Sequence, residues 1–460
     1  GRQDVNGGGN VATLAAQQSE GTPMTKRLAC LATLLFAFPV CADDLEASVA
    51  EDYNDYLAEL FDHFHRNPEL STVEFETARR MALELSLAGF EVTEGVGGTG
   101  VVAILENGPG PLVMLRADMD GLPVEEKSGL ENASRKQQLD PITGNEVFTM
   151  HACGHDVHIT SLVGTARQMA ARTDEWQGTL MLVVQPAEER VLGAQAMRDD
   201  DIWGRFGQPD YALAFHVSSN DVAGVINVSE GSPYAGADTV DIIIHGVGAH
   251  GASPHRGRDP IVLGSQIVLA LQTLVSRELS PREPGVVTVG SFHAGTKHNI
   301  IPDEAHLQLT VRNTNEETRQ ILLDGIVRIA ENMGRVAGLP EDMLPEVIIS
   351  NESVPPTTND AALARRLKAA WSAELGDDAV VDIPTKGMGA EDFPFFTIDP
   401  EITSVYWAIG GTPQEAFDIE AAGGPPVPSH HSPLFKISPE PAVIAGVESS
   451  VVALLTLMQE

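Results

Sequence analysis

Residues 151–158, HACGHDVH, gather three histidines, a cysteine and an aspartate into eight positions. Read as an extended segment, this stretch turns Cys153 and His155 to one face, because side chains alternate with period two. A thiolate and an imidazole converging in that way suit a borderline-soft divalent ion such as zinc, cobalt or manganese. A polar loop whose cysteine is merely buried is the competing reading, and the octapeptide alone leaves both open.

Residues of the same chemical kind recur elsewhere. Asp118 and Asp120 close the apolar stretch PLVMLRADMD (111–120), and Glu188-Glu189 close GTLMLVVQPAEE (178–189). His216 stands near the end of YALAFHV (211–217), and His430-His431 come late, in SHHSPLF (429–435). One such residue at a strand end is usually structural. Several at converging strand ends are much harder to explain without a ligand.

Apolar strands at 101–105, 111–120, 178–189 and 211–217 alternate with helical stretches such as SLVGTARQMAAR (161–172). The pattern predicts an α/β fold, a mostly parallel sheet with helices on both faces, whose ligands bind at the C-terminal strand ends. The character changes near residue 237. TVDIIIHGVGAH (239–250), a helix over 259–279, strands at 286–295 and 304–315, a helix over 316–338 and PEVIIS (345–350) follow in the order β-α-β-β-α-β of a ferredoxin-like unit. This reads as an inserted domain, 237–352, splitting a catalytic domain into 43–236 and 353–460.

The 460 residues, 43% of them hydrophobic, leave room for two domains, and the formal net charge of −36 argues against nucleic acid and anionic membranes as partners. Residues 1–23 read as a leader or vector remnant. Residues 24–42 carry Lys26 and Arg27, the apolar run LACLATLLFAFPV and then Val40-Cys41-Ala42, which predicts a signal peptide cleaved after Ala42 and export, in a bacterium to the periplasm. That run is shorter than the ~20 residues that span a bilayer, and no later apolar run is expected to span one, so no membrane association is expected after cleavage. With Cys30 and Cys41 removed, Cys153 has no intrachain disulfide partner, and a metal would occupy its thiol in an oxidising compartment.

Taken together, HRNPELS (65–71), LRADMDGLP (115–123), MHACGHDVH (150–158), QPAEE (185–189), GAHGASPHRGRDPI (248–261), HNIIP (298–302), GAEDF (389–393) and HSPLF (431–435) resemble the di-metal aminoacylase/carboxypeptidase metallopeptidases, peptidase family M20. The resemblance covers essentially everything after the leader and is closest to the hippurate hydrolases and plant auxin-conjugate amidohydrolases. It implies a zinc-exopeptidase-like catalytic domain with an inserted dimerisation or lid domain, and two divalent ions per subunit: manganese or zinc first, cobalt or nickel as alternatives. It implies metal ligands at Cys153, His155, Glu189, His216 and His431, with His430 set aside only on the spacing to Ser-Pro and Phe435. Glu188 matches the family's general base and Asp120 a carboxylate that orients the site, while Asp118 stands where other branches place a metal-binding histidine. His250 matches an oxyanion-stabilising residue, often supplied across a dimer interface, and Asn299 and Arg312 match residues that bind the substrate's carboxylate.

The expected activity is hydrolysis of the amide of a small N-acyl or N-aroyl amino acid to a carboxylate and an amino acid, by a homodimer joined through the inserted domain. A metallo-dipeptidase or carboxypeptidase is the alternative; a non-catalytic metal- or conjugate-binding protein comes third. Two ions sharing a water lower its pKa, and a carboxylate can take the proton and pass it to the leaving nitrogen. Glu188 is expected in that role because its neighbour Glu189 points at the metal, which sends Glu188 elsewhere unless the backbone bends. A surface acidic pair at Glu188-Glu189, a turn histidine at His250, a turn at Asn299 and an edge-strand charge at Arg312 are the plainer alternatives. His255, His293 and His298 read as loop histidines. One departure from the family stands out, a long segment between Glu126 and His151, expected to form a surface hairpin or to reshape the pocket mouth.

Overall fold

A computed structural model describes residues 42–350, 353–384 and 387–459. The leader and signal-peptide readings, with Cys30 and Cys41, lie outside the described residues.

The chain opens with helices α1 (Ala42–Asp52), α2 (Ala58–Arg66) and α3 (Phe75–Leu87). Strands β1 (Glu91–Val96), β2 (Gly100–Asn107) and β3 (Leu112–Asp118) follow, then helix α4 (His155–Ala171) and strands β4 (Gly178–Gln185), β5 (Tyr211–Val222) and β6 (Ile226–Asn227). A second set comprises β7 (Gly236–His245), α5 (Pro260–Thr273), β8 (Gly285–Ala294), β9 (Glu304–Asn313), α6 (Glu316–Val336) and β10 (Glu346–Ile349). The chain then returns through α7 (Ala361–Leu375), β11 (Val380–Val381), β12 (Thr403–Thr412) and α8 (Pro439–Met458).

The first and last parts build one eight-stranded sheet, ordered β1-β2-β4-β3-β5-β12-β6-β11. Its centre is parallel (β4 with β3, β3 with β5, β5 with β12), while β1, β2 and the β12–β6 pair run antiparallel. Parallel strands must be covered on both faces, which is why β3, β4 and β5 are almost uninterrupted apolar runs. Helices α4 and α8 cover one face, and the Phe393, Phe396 and Tyr406 cluster covers part of the other.

The middle part forms a separate four-stranded antiparallel sheet, ordered β8-β9-β7-β10, backed by α5 and α6 over a core of its own. Numbered along the chain, that order is 4-1-3-2 read from β10, the ferredoxin-like arrangement expected from the sequence. Alternate residues of β7, such as Val240, Ile242 and Ile244, point into that core and fix its register.

One expectation needs correction. Among the described residues, two helices are long and apolar enough to cross a membrane by length and composition: Pro260–Glu278 and Pro439–Met458, 19 and 20 residues with mean hydropathy 1.3 and 1.8. The second is the core helix α8, 78% buried, and a helix enclosed on all sides needs no polar face. The first is only 33% buried and leaves Ile261, Val262 and Leu269 exposed.

Candidate active site

Residues 151–154 are not extended as expected but form a turn, and α4 begins at His155. Gly154, at the helix N-cap with φ 83°, permits this. A Cβ there would meet Val217 Cγ1 at 2.3 Å, so glycine is required both for its φ and for the close approach of strand β5. The turn still brings Cys153 and His155 together, and it brings them to His216: donor atoms of the three lie within 4.8 Å of one another.

Backbone groups decide what each histidine can offer. His216 Nδ1 lies 2.7 Å from the Val217 carbonyl, so it carries the proton and leaves Nε2 a free lone pair, 3.5 Å from Cys153 Sγ. His158 is arranged the other way. Its Nε2 accepts the Val217 N–H at 2.8 Å and its Nδ1–H donates to Asp118 Oδ1 at 2.5 Å, so neither nitrogen is available to a metal. His430 Nε2 likewise accepts the Ser219 N–H, at 3.1 Å, while its Nδ1 faces Cys153 Sγ at 3.6 Å. His431, held at φ 64° and tied by its N–H to the Ala152 carbonyl, brings Nε2 to 3.2 Å from Glu189.

The carboxylates close around His155. Its Nε2 is 3.6 Å from Asp118, 3.9 Å from Glu188 and 3.9 Å from Glu189, and its Nδ1 is 3.3 Å from Asp120 Oδ1. The other Asp120 oxygen accepts from Ser71 Oγ at 2.5 Å and from the Glu189 N–H at 3.1 Å. The exception allowed for a bent backbone therefore applies, and Glu188 and Glu189 do not diverge. Left-handed residues Ala187 (φ 49°) and Val191 (φ 58°) flank a single 3₁₀ turn, Glu188–Arg190, which bends the chain and turns both carboxylates toward His155. Non-glycine residues in that region are strained, and three of the chain's positive-φ non-glycine residues, Ala187, Val191 and His431, sit here.

Beneath the cluster lies a group of residues the sequence reading did not single out. Arg116, fully buried in the central strand β3, donates to Asp118 and Gln185 at 2.8 Å and bridges Glu391 at 2.8 Å and Asp392 at 3.3 Å. Tyr406 Oη adds a 2.7 Å bond to Glu391. A lone arginine inside the apolar run LVMLRAD was the signal, since a charge in a doubly covered strand must find partners. Behind the turn, buried His65 is paired through Nδ1 with Asp156 at 2.7 Å and lies 3.4 Å from Glu126.

The cluster carries an unbalanced negative charge. Burial, then Glu391 and Glu189, pushes Glu188 well above the usual carboxylate range. Burial, then Glu189 and Glu188, pushes the Cys153 thiol up as well. Burial alone would lower His155, but Asp118, Asp120 and Glu189 outweigh it and raise the imidazole to about 10. Both nitrogens of His155, Asp120 Oδ1 and Glu189 Oε1 are buried without a completed hydrogen bond. Mixed sulfur, nitrogen and oxygen donors, several orphaned and crowded by carboxylates, fit divalent cations.

His250, Asn299 and Arg312 are not part of this cluster. Among the described residues, no hydrogen bond or ion pair joins them to it. His250 and Asn299 are exposed and share a groove of about 620 Å³ with Lys297 and Ile300, on the loops of the four-stranded sheet. Arg312 is half-buried on β9, level with Ala237 and Val286. His293 lies on β8 and His255 in a short 3₁₀ turn rather than in loops, while His298 is in a loop. The long segment after Glu126 forms a surface hairpin, Gln137–Leu139 against Glu146–Phe148, anchored where Gln138 bonds the backbone of Leu70 and Val73.

The profile of the peptidase family M20/M25/M40 matches residues 114–422. The chain is 35% identical to thermostable carboxypeptidase 2 of Saccharolobus solfataricus, over 75% of this chain and 84% of that one. It is 35% identical to the hippurate hydrolase of Campylobacter jejuni (72% and 82%) and 33% identical to the IAA-amino acid hydrolase ILR1-like 2 of Arabidopsis thaliana (86% and 83%). Among solved structures, the YXEP protein of Bacillus subtilis, described as a dinuclear metal binding peptidase, superposes with a TM-score of 0.71 at 28% identity, covering 88% of this chain and 99% of its own.

Proposed function

This chain belongs to the peptidase family M20/M25/M40, and from that premise we propose that it is a two-metal amidohydrolase releasing a carboxylate and an amino acid from N-acyl or N-aroyl amino acids. The observation that carries the reading is the convergence of Cys153, His155, His216, Glu189 and His431 around Glu188, at the C-terminal ends of β3 and β4 and beside His216 within β5. Those five are the proposed metal ligands.

Two divalent ions would supply Lewis acidity, acidifying a shared water and polarising the scissile carbonyl. Glu188, buried beside His155 with no side-chain hydrogen bond among the described residues, is placed to take the water's proton and return it to the leaving nitrogen. Asp120 holds the 3₁₀ turn through the Glu189 N–H and steadies His155. The low-dielectric floor of Arg116, Asp118 and Glu391 keeps these groups from rearranging as charge develops.

His250 is assigned to the oxyanion and Asn299 and Arg312 to the substrate's carboxylate, which an arginine can grip with two parallel bonds. Their separation from the cluster within one chain supports a homodimer joined through residues 237–352, in which a partner copy completes the site. The exposed apolar residues of α5, Ile261, Val262 and Leu269, support the same arrangement. Manganese or zinc is the proposed metal, and the periplasm is the proposed compartment, a reading supported by the basic residues and the apolar run within the signal-peptide segment 24–42.

The test is hydrolysis of a panel by metal-stripped protein with manganese or zinc restored: hippurate, N-acetyl amino acids, an indole-acetyl amino acid and dipeptides. Metal-dependent release from the acyl amino acids, with dipeptides inert, is the expected result. Cleavage of dipeptides alone would transfer the assignment to the second reading, a dipeptidase or carboxypeptidase, which the similarity to a thermostable carboxypeptidase favours. No turnover with any metal would overturn both.

A further inference from the structure

We propose that His430 is a positioning residue for the Cys153 thiolate, donating its Nδ1–H to the sulfur and so weakening it as a metal donor. The inference rests on the reading of Cys153 as a ligand. Two imidazoles face Cys153 Sγ, His216 through Nε2 at 3.5 Å and His430 through Nδ1 at 3.6 Å. Strand β5 sorts them. The Val217 carbonyl takes the His216 proton on the far side and leaves a lone pair toward sulfur. The Ser219 N–H instead fills the His430 Nε2 lone pair at 3.1 Å, so the proton of the neutral ring sits on Nδ1, toward sulfur.

The ring is not free to exchange these roles. Its edge meets His216 with centroids 5.3 Å apart, and buried Phe435 lies against it at 4.8 Å. A ligating Nδ1 would require a proton on Nε2, pointed at the Ser219 N–H. That arrangement sets two donors against each other, which separates His430 from its neighbour His431 on chemical grounds.

A hydrogen bond to a thiolate draws off electron density that would otherwise go to the metal. Softer ions depend most on that density, so His430 tilts the centre away from zinc and toward a harder ion such as manganese. The sulfur's donor strength is thus set from outside the ligand set.

The experiment is cobalt substitution, read by the sulfur-to-cobalt charge-transfer absorption in the near ultraviolet, with a zinc-against-manganese competition on the same proteins. His430→Leu should move the band to lower energy and shift the competition toward zinc by about tenfold. His430→Gln, whose amide can accept from Ser219 and donate to sulfur, should restore both. If the leucine variant does not fold by circular dichroism, His430→Phe, which fills the ring's volume, takes its place. An unchanged band and competition in the apolar variant would overturn the proposal. So would loss of one of the two metals that glutamine fails to restore, since His430 would then be a ligand. A parent protein with no such band would remove Cys153 from the ligand set and the proposal with it, a failure visible before any variant is made.

Discussion

Asp118, His155 and His158 are buried at a strand end and a helix start, each crowded by several polar groups, and the loop carrying Cys153 meets β5 at His216 and is tied to the late His430-His431 segment. His250 and Asn299, by contrast, are exposed on loops of the smaller sheet, where His250 Nδ1 accepts the Ala252 N–H and, among the described residues, no other. The first region has its side chains positioned before anything binds, with orphaned donor atoms left for cations. The second presents chemistry without surroundings to direct it. Removing a group from the first should cost stability or the chemical step itself. Removing one from the second should cost catalysis while leaving fold and metal content untouched.

The sharpest separation comes from Glu188→Gln, which keeps volume and removes the base. We expect kcat to fall by about 10³-fold or more with two metals still bound, measured by turnover and metal analysis on the same preparation. Full turnover would show that the Glu188 carboxylate transfers no proton in the reaction. Arg116→Met tests the floor of the same region. It leaves Asp118, Glu391 and Asp392 buried without their cation, so a loss of about 4 kcal/mol in denaturant unfolding is expected. A variant as stable as the parent would mean that the acids redistribute their protons freely.

His65→Leu extends the contrast to the back of the turn. Burial would lower this histidine, but bonds to Asp156 and Glu126 raise it to about 10. A folded-state value above the unfolded one near 6.5 stabilises fully below pH 6.5, and that contribution is lost as pH rises through about 10. The parent should therefore lose unfolding free energy between pH 7 and 10. The variant should be less stable by about 3 kcal/mol at pH 6 and show a shallower slope, without the His65 share of it. Parallel pH profiles would remove the ion pair from the account.

The smallest expected effect tests the open region. His250→Ala should lower kcat by about 100-fold without changing the unfolding midpoint or metal stoichiometry. Mixing it with Glu188→Gln subunits should restore part of the activity if His250 acts on the partner copy's metal site. Equal loss in mixed and unmixed samples would place His250 in its own chain's site or outside the reaction.

What could be read along the chain was whatever depends on local pattern. The three apolar strands carrying Asp118 at the end of one, Glu188-Glu189 just beyond another and His216 within the third, the change of character near 237 and the β-α-β-β-α-β order all follow from periodicity and from chemistry repeated along parallel strands. Motif resemblance added roles to residues whose types already pointed to a metal. Interactions across the sheet were not legible. Arg116 meets Glu391 and Asp392 across some 275 positions of sequence, a distance over which no pattern operates. The bend that turns Glu188 and Glu189 to one side depends on left-handed Ala187 and Val191, residue types that give no local warning of it.

The histidines mark the boundary most clearly. The sequence by itself determined that imidazoles, a thiol and carboxylates would gather at one edge of a parallel sheet, because strand direction and side-chain type are local properties. Only the tertiary structure decided which imidazole presents a lone pair and which a proton. That choice belongs to the opposite ring nitrogen, and it turns on whether a carbonyl of Val217 or an amide of Ser219 happens to lie beside it.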